Sequence, residues 1–169
     1  MRYHSFSSRG TKFFGEKFAK RAIGKKQSAF TKATAGRQAS SAGALILALT
    51  GELGSGKTTF VQGFFRGLGI KKSPISPTFI IMRRTAIRRK TSASRAGFQN
   101  VYHIDAYRIK HPRELAPLGL KEIMNDSKNI VLIEWAENIK KILPRRGVTW
   151  IIFKHYRKET DRLMNVLSF

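Results

Sequence analysis

Two hydrophobic periods alternate along this chain. The run Ala44-Leu45-Ile46-Leu47-Ala48-Leu49-Thr50 is apolar without a break and reads as a strand buried on both faces. Directly after it, Phe60, Val61, Phe64, Phe65 and Leu68 recur at helical spacing. Nearer the start, Phe13, Phe14, Phe18 and Ile23 are separated by Lys12, Lys17 and Lys20, which describes an amphipathic helix. Continued in this way, the pattern predicts helix 11–23, strand 44–50, helix 57–68, strand 78–83, strand 98–104 and short helices within 112–125. Strand 129–134, helix 136–142, strand 148–154 and strand 162–168 complete it. Polar residues around Lys158 to Thr160 separate the last two strands and predict a hairpin.

Alternating strands and helices imply an α/β fold: a mixed, partly parallel sheet covered on both faces, closed by a C-terminal antiparallel hairpin. A chain of 169 residues is one domain's worth, so 1–169 is read as a single domain. Segments 24–43 and 85–97, the second preceded by Arg83 and Arg84, are poor in large apolar residues and read as basic surface loops. The absence of cysteine excludes disulfides, thiolate zinc sites and thiol catalysis. No apolar run is long enough to span a bilayer, so a soluble protein with no membrane partner is expected. The basic, acid-poor composition of 1–26 also matches a transit peptide, but its apolar periodicity favours a structural helix.

Lys and Arg number 33 against 10 Asp and Glu, a net charge of +23. Its distribution is uneven: between Glu16 and Asp105 the one carboxylate is Glu52. Such a field attracts polyanions, nucleic acid among them, although a solvated basic surface has the same composition.

Gly51-Glu52-Leu53-Gly54-Ser55-Gly56-Lys57-Thr58 fits G-x-x-x-x-G-K-[ST] between the predicted strand and helix. In that context the glycines let backbone N–H groups turn toward phosphate oxygens, Lys57 reaches the outer phosphates, and the Thr58 hydroxyl can hold Mg²⁺. The phosphates then sit at a helix N-terminus, where unpaired N–H groups and the helix dipole favour anions. The chain is read as a P-loop NTPase-like three-layer sandwich on this basis.

Phosphate chemistry at such a loop needs carboxylates. Asp105 ends Val101-Tyr102-His103-Ile104, and Glu134 ends Ile130-Val131-Leu132-Ile133. The last side chain of a parallel strand beside the loop strand points into the phosphate crevice, so both fit by position and their roles stay undivided. Thr78, in Ser73-Pro74-Ile75-Ser76-Pro77-Thr78-Phe79, is a candidate sensor of the terminal phosphate or its metal. No N-K-x-D appears and Asp105 is not followed by the x-x-G of switch GTPases, which favours ATP over GTP.

Four segments, G-E-L-G-S-G-K-T-T-F, S-P-T-F, Y-H-I-D-A-Y-R and L-I-E-W, stand in an order that closely resembles the TsaE (YjeE) family, P-loop ATPases of bacterial tRNA threonylcarbamoyladenosine synthesis. The resemblance covers about 11–154 and includes Thr11-Lys12-Phe13-Phe14-Gly15 and Pro112-Arg113-Glu114-Leu115. It implies ATP or ADP binding by Glu52, Leu53, Gly54, Ser55, Gly56, Lys57, Thr58 and Thr59, with Thr11, Thr78 and Trp135 beside the nucleotide. It further implies Mg²⁺ on Thr58 and Glu134, and hydrolysis dependent on Asp105 and Lys57. The implied protein is a cytoplasmic ATPase, weak alone, that acts with TsaB and TsaD, and its basic loops are candidates for tRNA contact. One departure is that Met82-Arg83-Arg84-Thr85 follows S-P-T-F, where the family usually carries acidic residues. Two other readings share the loop: a small-molecule or nucleoside kinase with Asp105 as base, and a basic RNA-binding P-loop module.

Overall fold

The computed structural model describes residues 1–34, 43–71, 74, 76–77, 80–157 and 160–168, with side chains in the first helix described as far as Lys25. At its centre lies β2 (Leu45–Thr50), whose residues alternate between two cores: Leu45, Leu47 and Leu49 face one, Ile46 and Ala48 the other. Burial on both faces is why Leu45 to Leu49 is apolar without a break. On one side of β2 stands β6 (Val148–His155), and on the other β5 (Asn129–Glu134) and then β4 (Asn100–Asp105), all four strands parallel. The edges are antiparallel: β3 (Met82–Ala86) on β4, and β7 (Arg162–Ser168) on β6, with β1 (Arg2–Ser5) beyond it. The sheet order is β1-β7-β6-β2-β5-β4-β3.

One face is covered by α1 (Ser8–Thr34) and α2 (Lys57–Gly67). Phe14 and Phe18 of α1 meet Phe60 of α2, which also touches Phe153 of β6, so aromatic rings fill the space between helices and sheet. The two helices approach closely: a Cβ on Gly63 would lie 2.0 Å from the Lys12 carbonyl oxygen, and one on Gly15 would lie 2.3 Å from that of Phe60. The opposite face carries two 3-10 helices, Pro112–Leu118 and Ala136–Ile142, and α4 (Leu120–Asn125), which bury Leu115, Leu120, Met124 and Ile139 against Ile46, Val131 and Ile133. The α/β fold, the mixed sheet and the final hairpin follow the pattern expected from the sequence.

Several boundaries differ. The first helix runs from Ser8 to Thr34 instead of 11–23, so 24–34 of the expected loop 24–43 is helical. The Ala, Lys and Gln that made this stretch look loop-like are also good helix formers, and Gly24 alone costs about 1 kcal/mol. The part of that loop at 35–42 lies outside the described residues. The third strand lies at Met82–Ala86 instead of 78–83. Segment 85–97 is not simply a surface loop. It holds the end of β3 and the short α3 (Ser92–Arg95), capped where Thr91 Oγ1 accepts from the Ser94 N–H at 3.1 Å. Ile87, Ala93 and Ala96 are buried there, small enough to be hidden in the sequence among basic neighbours. Strand β1 escaped the pattern because it is four residues long and pairs only along β7. Among the described residues no helix is long and apolar enough to cross a membrane.

Candidate nucleotide site

Residues 51–56 connect β2 to α2. Gly51, at φ 137°, is pressed against β6, where a Cβ would lie 2.2 Å from the Phe153 carbonyl oxygen. Gly56, at φ 98°, is the residue before α2 and has no side chain to cap it. The first-turn N–H groups of α2 are therefore the ones a loop of this kind leaves for an anion.

Parallel pairing of β4 with β5 sets Asp105 directly beside Glu134 at the strand ends. Because side chains alternate along a strand, Val101, His103 and Asp105 share one face of β4, and Ile130, Leu132 and Glu134 the matching face of β5. That face is the one packed on α2, whose first turn carries Lys57 and Thr58. The result is a cleft of about 350 Å³ lined by residues 53–59, Ser76, Asp105, Tyr107, Glu134 and Trp135.

Inside it, the Thr58 hydroxyl donates to Glu134 Oε2 at 2.7 Å, while Glu134 Oε1 meets His103 Nε2 at 2.8 Å. Both Glu134 oxygens are thus engaged, and an ionised carboxylate, which can only accept, is matched by an imidazole that donates from Nε2. His103 Nδ1 has no hydrogen-bond partner among the described residues, and the ring is fully buried. Asp105 accepts from the Tyr107 N–H at 3.0 Å on Oδ1 and from the Ser76 hydroxyl on Oδ2.

Lys57 is folded back onto its own loop. Its Nζ donates to the carbonyls of Gly51 at 2.6 Å and Glu52 at 2.9 Å, and lies 3.8 Å from the centre of the Trp135 ring. Burial holds its pKa below the ordinary lysine value, an effect partly offset by the charges of Glu134, Glu137 and Asp105. Trp135 adopts a left-handed conformation, φ 57° and ψ 40°, a costly state for a large side chain that turns the ring over the lysine and against Tyr107.

The donor set fits a nucleoside triphosphate with Mg²⁺. The Ser55 hydroxyl lines the cleft, buried and without a partner among the described residues, the kind of orphan that a phosphate oxygen satisfies. Among the described residues no three Asp, Glu or His side chains converge as a metal cage. Mg²⁺ needs one or two protein oxygens beside phosphate and water, and the Thr58 hydroxyl and Glu134 carboxylate would supply them.

Residues Leu53, Gly54, Ser55, Gly56, Lys57, Thr58, Thr59, Asp105, Glu134 and Trp135 thus meet at one cleft. Glu52 is exposed and contributes its carbonyl to Lys57, not a side chain to the lining. Thr11 is buried behind the loop. Its hydroxyl donates to Ser5 Oγ at 3.0 Å, and its methyl lies 3.4 Å from where a Gly56 Cβ would be. Thr78 lies outside the described residues. Four contributors were not singled out from sequence: Ser76, Tyr107, His103, and Glu137, whose Oε1 is 3.5 Å from the Gly51 N–H. The spacing of His103, two residues before Asp105 on a strand, was the available signal, since it puts both on one face.

Comparison with known proteins agrees with this geometry. The family model described as threonylcarbamoyl adenosine biosynthesis protein TsaE matches residues 11–164. Among curated proteins, the tRNA threonylcarbamoyladenosine biosynthesis protein TsaE of Haemophilus influenzae is 34% identical over 105 residues, 62% of this chain and 60% of that protein. The Bacillus subtilis TsaE is 37% identical over 107 residues, 63% of this chain and 60% of the relative. A Nostoc TsaE is 37% identical over 132 residues, covering 76% and 72%. The matches to the first two relatives thus span about three fifths of their length. The crystal structure of Bacillus subtilis YdiB superposes with a TM-score of 0.60 at 27% identity, covering 97% of this chain and 82% of that one. With a matching family model over nearly its whole length and a cleft assembled from the same segments, the chain belongs to the TsaE family.

Proposed function

We propose that this chain is a Mg²⁺-dependent ATPase of the tRNA threonylcarbamoyladenosine modification machinery, acting in the cytoplasm with TsaB- and TsaD-like proteins. The observation that carries the nucleotide part is the 2.7 Å hydrogen bond from Thr58 to Glu134 at the head of the glycine-rich loop. It places a hydroxyl and a carboxylate side by side where the first turn of α2 offers N–H groups to phosphate. The names of the relatives support the tRNA-modification part.

Thr58 and Glu134 would hold Mg²⁺, which when bound draws charge from the phosphate oxygens. Lys57 leaves the Gly51 and Glu52 carbonyls to pair with the outer phosphates, and Ser55 Oγ gains the partner it lacks. Asp105, oriented by the Tyr107 N–H and the Ser76 hydroxyl, takes the proton of the attacking water. Trp135 and Tyr107, their ring centres 4.9 Å apart, line one side of the cleft.

Calorimetry with ATP and ADP, with and without Mg²⁺, tests the first part: micromolar binding is expected and Lys57→Ala should abolish it. Co-purification with TsaB and TsaD, followed by turnover with and without them, tests the second. Nucleotide binding with no partner-stimulated turnover would leave an ATPase outside the modification complex, and no binding at all would sink the reading.

A further inference from the structure

A second cleft, of about 440 Å³, opens on the outer side of α1 and is lined by Ser7, Arg9, Gly10, Lys12, Phe13, Glu16 and Arg66. It shares no lining residue with the nucleotide cleft. Arg9, Lys12, Phe13, Glu16 and Lys20 recur along one face of α1 at helical spacing, and Arg66 reaches that face from the last turn of α2. Glu16 is the one carboxylate in the lining, and it is already paired with Lys20 at 2.7 Å and Arg66 at 3.3 Å. Among the described residues Arg9 and Lys12 have no ion-pair partner, so the cleft keeps a net positive charge.

An aromatic ring stands among these cations. Phe13 is 52% exposed although Phe14 beside it is buried in the core, and Lys17 Nζ lies 5.2 Å from the centre of the Phe13 ring. Phe6, next to Ser7 in sequence, is 68% exposed. Exposed rings set among uncompensated cations are the arrangement by which single-stranded nucleic acid is held without sequence preference: bases stack on the rings and phosphates meet the cations. The charge of the whole chain points the same way, since its first 104 residues hold two carboxylates, Glu16 and Glu52. An acidic protein segment would satisfy the cations but would leave the rings in water.

We propose that the Arg9–Lys12–Phe13–Arg66 cleft is a binding site for single-stranded polynucleotide. Phe13 forms the stacking platform, and Arg9, Lys12 and Arg66 bind the backbone phosphates. The site goes beyond the nucleotide chemistry of the phosphate loop and does not depend on it.

The test is fluorescence anisotropy of labelled uridine and deoxythymidine oligonucleotides of about ten residues, between about 50 and 200 mM salt. Phe13→Ala should weaken binding at least about five-fold with the salt slope unchanged. The triple substitution Arg9→Gln, Lys12→Gln, Arg66→Gln should make the slope of log K on log salt shallower by about 2. A control of equal charge, Lys141→Gln, Arg145→Gln, Arg146→Gln, lies on exposed positions at the other face and should lose much less. Phe13→Ala decides the matter if the triple variant folds poorly, because it removes an exposed ring and no charge. Binding of either oligonucleotide with this pattern supports the site. Equal losses in the control would assign the binding to net charge alone, and polyglutamate displacing the oligonucleotide at equal charge would assign the cleft to an acidic protein. Either result, or no binding at the upper salt, overturns the proposal. Calorimetry of Mg-ATP on the same variants keeps this outcome separate, since none of the substituted residues lines the nucleotide cleft.

Discussion

His103 Nε2 lies 2.8 Å from Glu134 Oε1, and both side chains are withdrawn almost entirely from water. The imidazole fixes one carboxylate oxygen and thereby presents the other, Oε2, to Thr58. Removing a residue that holds a metal ligand, the role proposed above for Glu134, commonly changes metal affinity about 10- to 100-fold. His103→Ala should therefore raise the Mg²⁺ concentration needed for half-maximal ATP binding by about that factor. It should also lower stability by about 1–3 kcal/mol, because a buried carboxylate oxygen loses its donor. His103→Gln, which can still donate, should recover part of the Mg²⁺ effect. A titration in which neither variant moves the Mg²⁺ midpoint would remove the positioning role.

Asp105 is held by Tyr107 and Ser76, and among the described residues it acts on Lys57 through charge and not through a hydrogen bond. Its loss should therefore act on chemistry more than on binding. Asp105→Asn should reduce partner-stimulated hydrolysis by about 10²- to 10⁴-fold while ATP affinity stays within a few-fold of the parent. Equal losses in both measurements would instead make Asp105 a binding residue.

The sequence pattern carried the centre of the fold further than its margins. β2 is legible because burial on both faces leaves Leu45 to Leu49 without a polar residue, and the loop after it because glycine and lysine at fixed spacing have few other uses. Asp105 and Glu134 are legible as strand ends, but their adjacency needs the β4–β5 pairing, which no local pattern encodes. His103 looks like a flaw in an apolar strand until Glu134 is placed beside it. Thr11 shows the reverse: a motif residue whose hydroxyl is turned away from the cleft, toward Ser5. The extension of α1 past Ile23 was hidden because residues that favour a helix also favour solvent.

Two glycines of helices should respond oppositely to the same substitution. Alanine in place of helical glycine usually gains up to about 1 kcal/mol, and at Gly24 nothing among the described residues lies within 4 Å of the new Cβ. At Gly63 the new atom would meet the Lys12 carbonyl at 2.0 Å, a backbone atom that moves only if α1 moves. Overpacking of that kind costs about 1–3 kcal/mol or more, which exceeds the propensity gain. Gly24→Ala should raise the thermal midpoint slightly, and Gly63→Ala should lower it by roughly 2–8 °C. Midpoints shifting in the same direction would contradict the close contact between α1 and α2.

The buried ammonium of Lys57 gives stability a dependence on alkaline pH whose sign can be worked out. In the unfolded chain Lys57 titrates near the ordinary lysine value of 10.5, whereas burial lowers its pKa in the folded protein. Between the folded value and 10.5 the unfolded chain holds more protons, so stability rises with pH across that window. Below it Lys57 is charged in both states and the full desolvation cost is present; above 10.5 that cost is relieved. Lys57→Met also loses the hydrogen bonds to Gly51 and Glu52, which fixes an offset between the two proteins but not its slope. Urea unfolding of parent and Lys57→Met from neutral pH upward should show the parent gaining relative to the variant as pH climbs. A difference that is flat or falls would mean that the carboxylates of Glu134, Glu137 and Asp105 outweigh burial at this lysine.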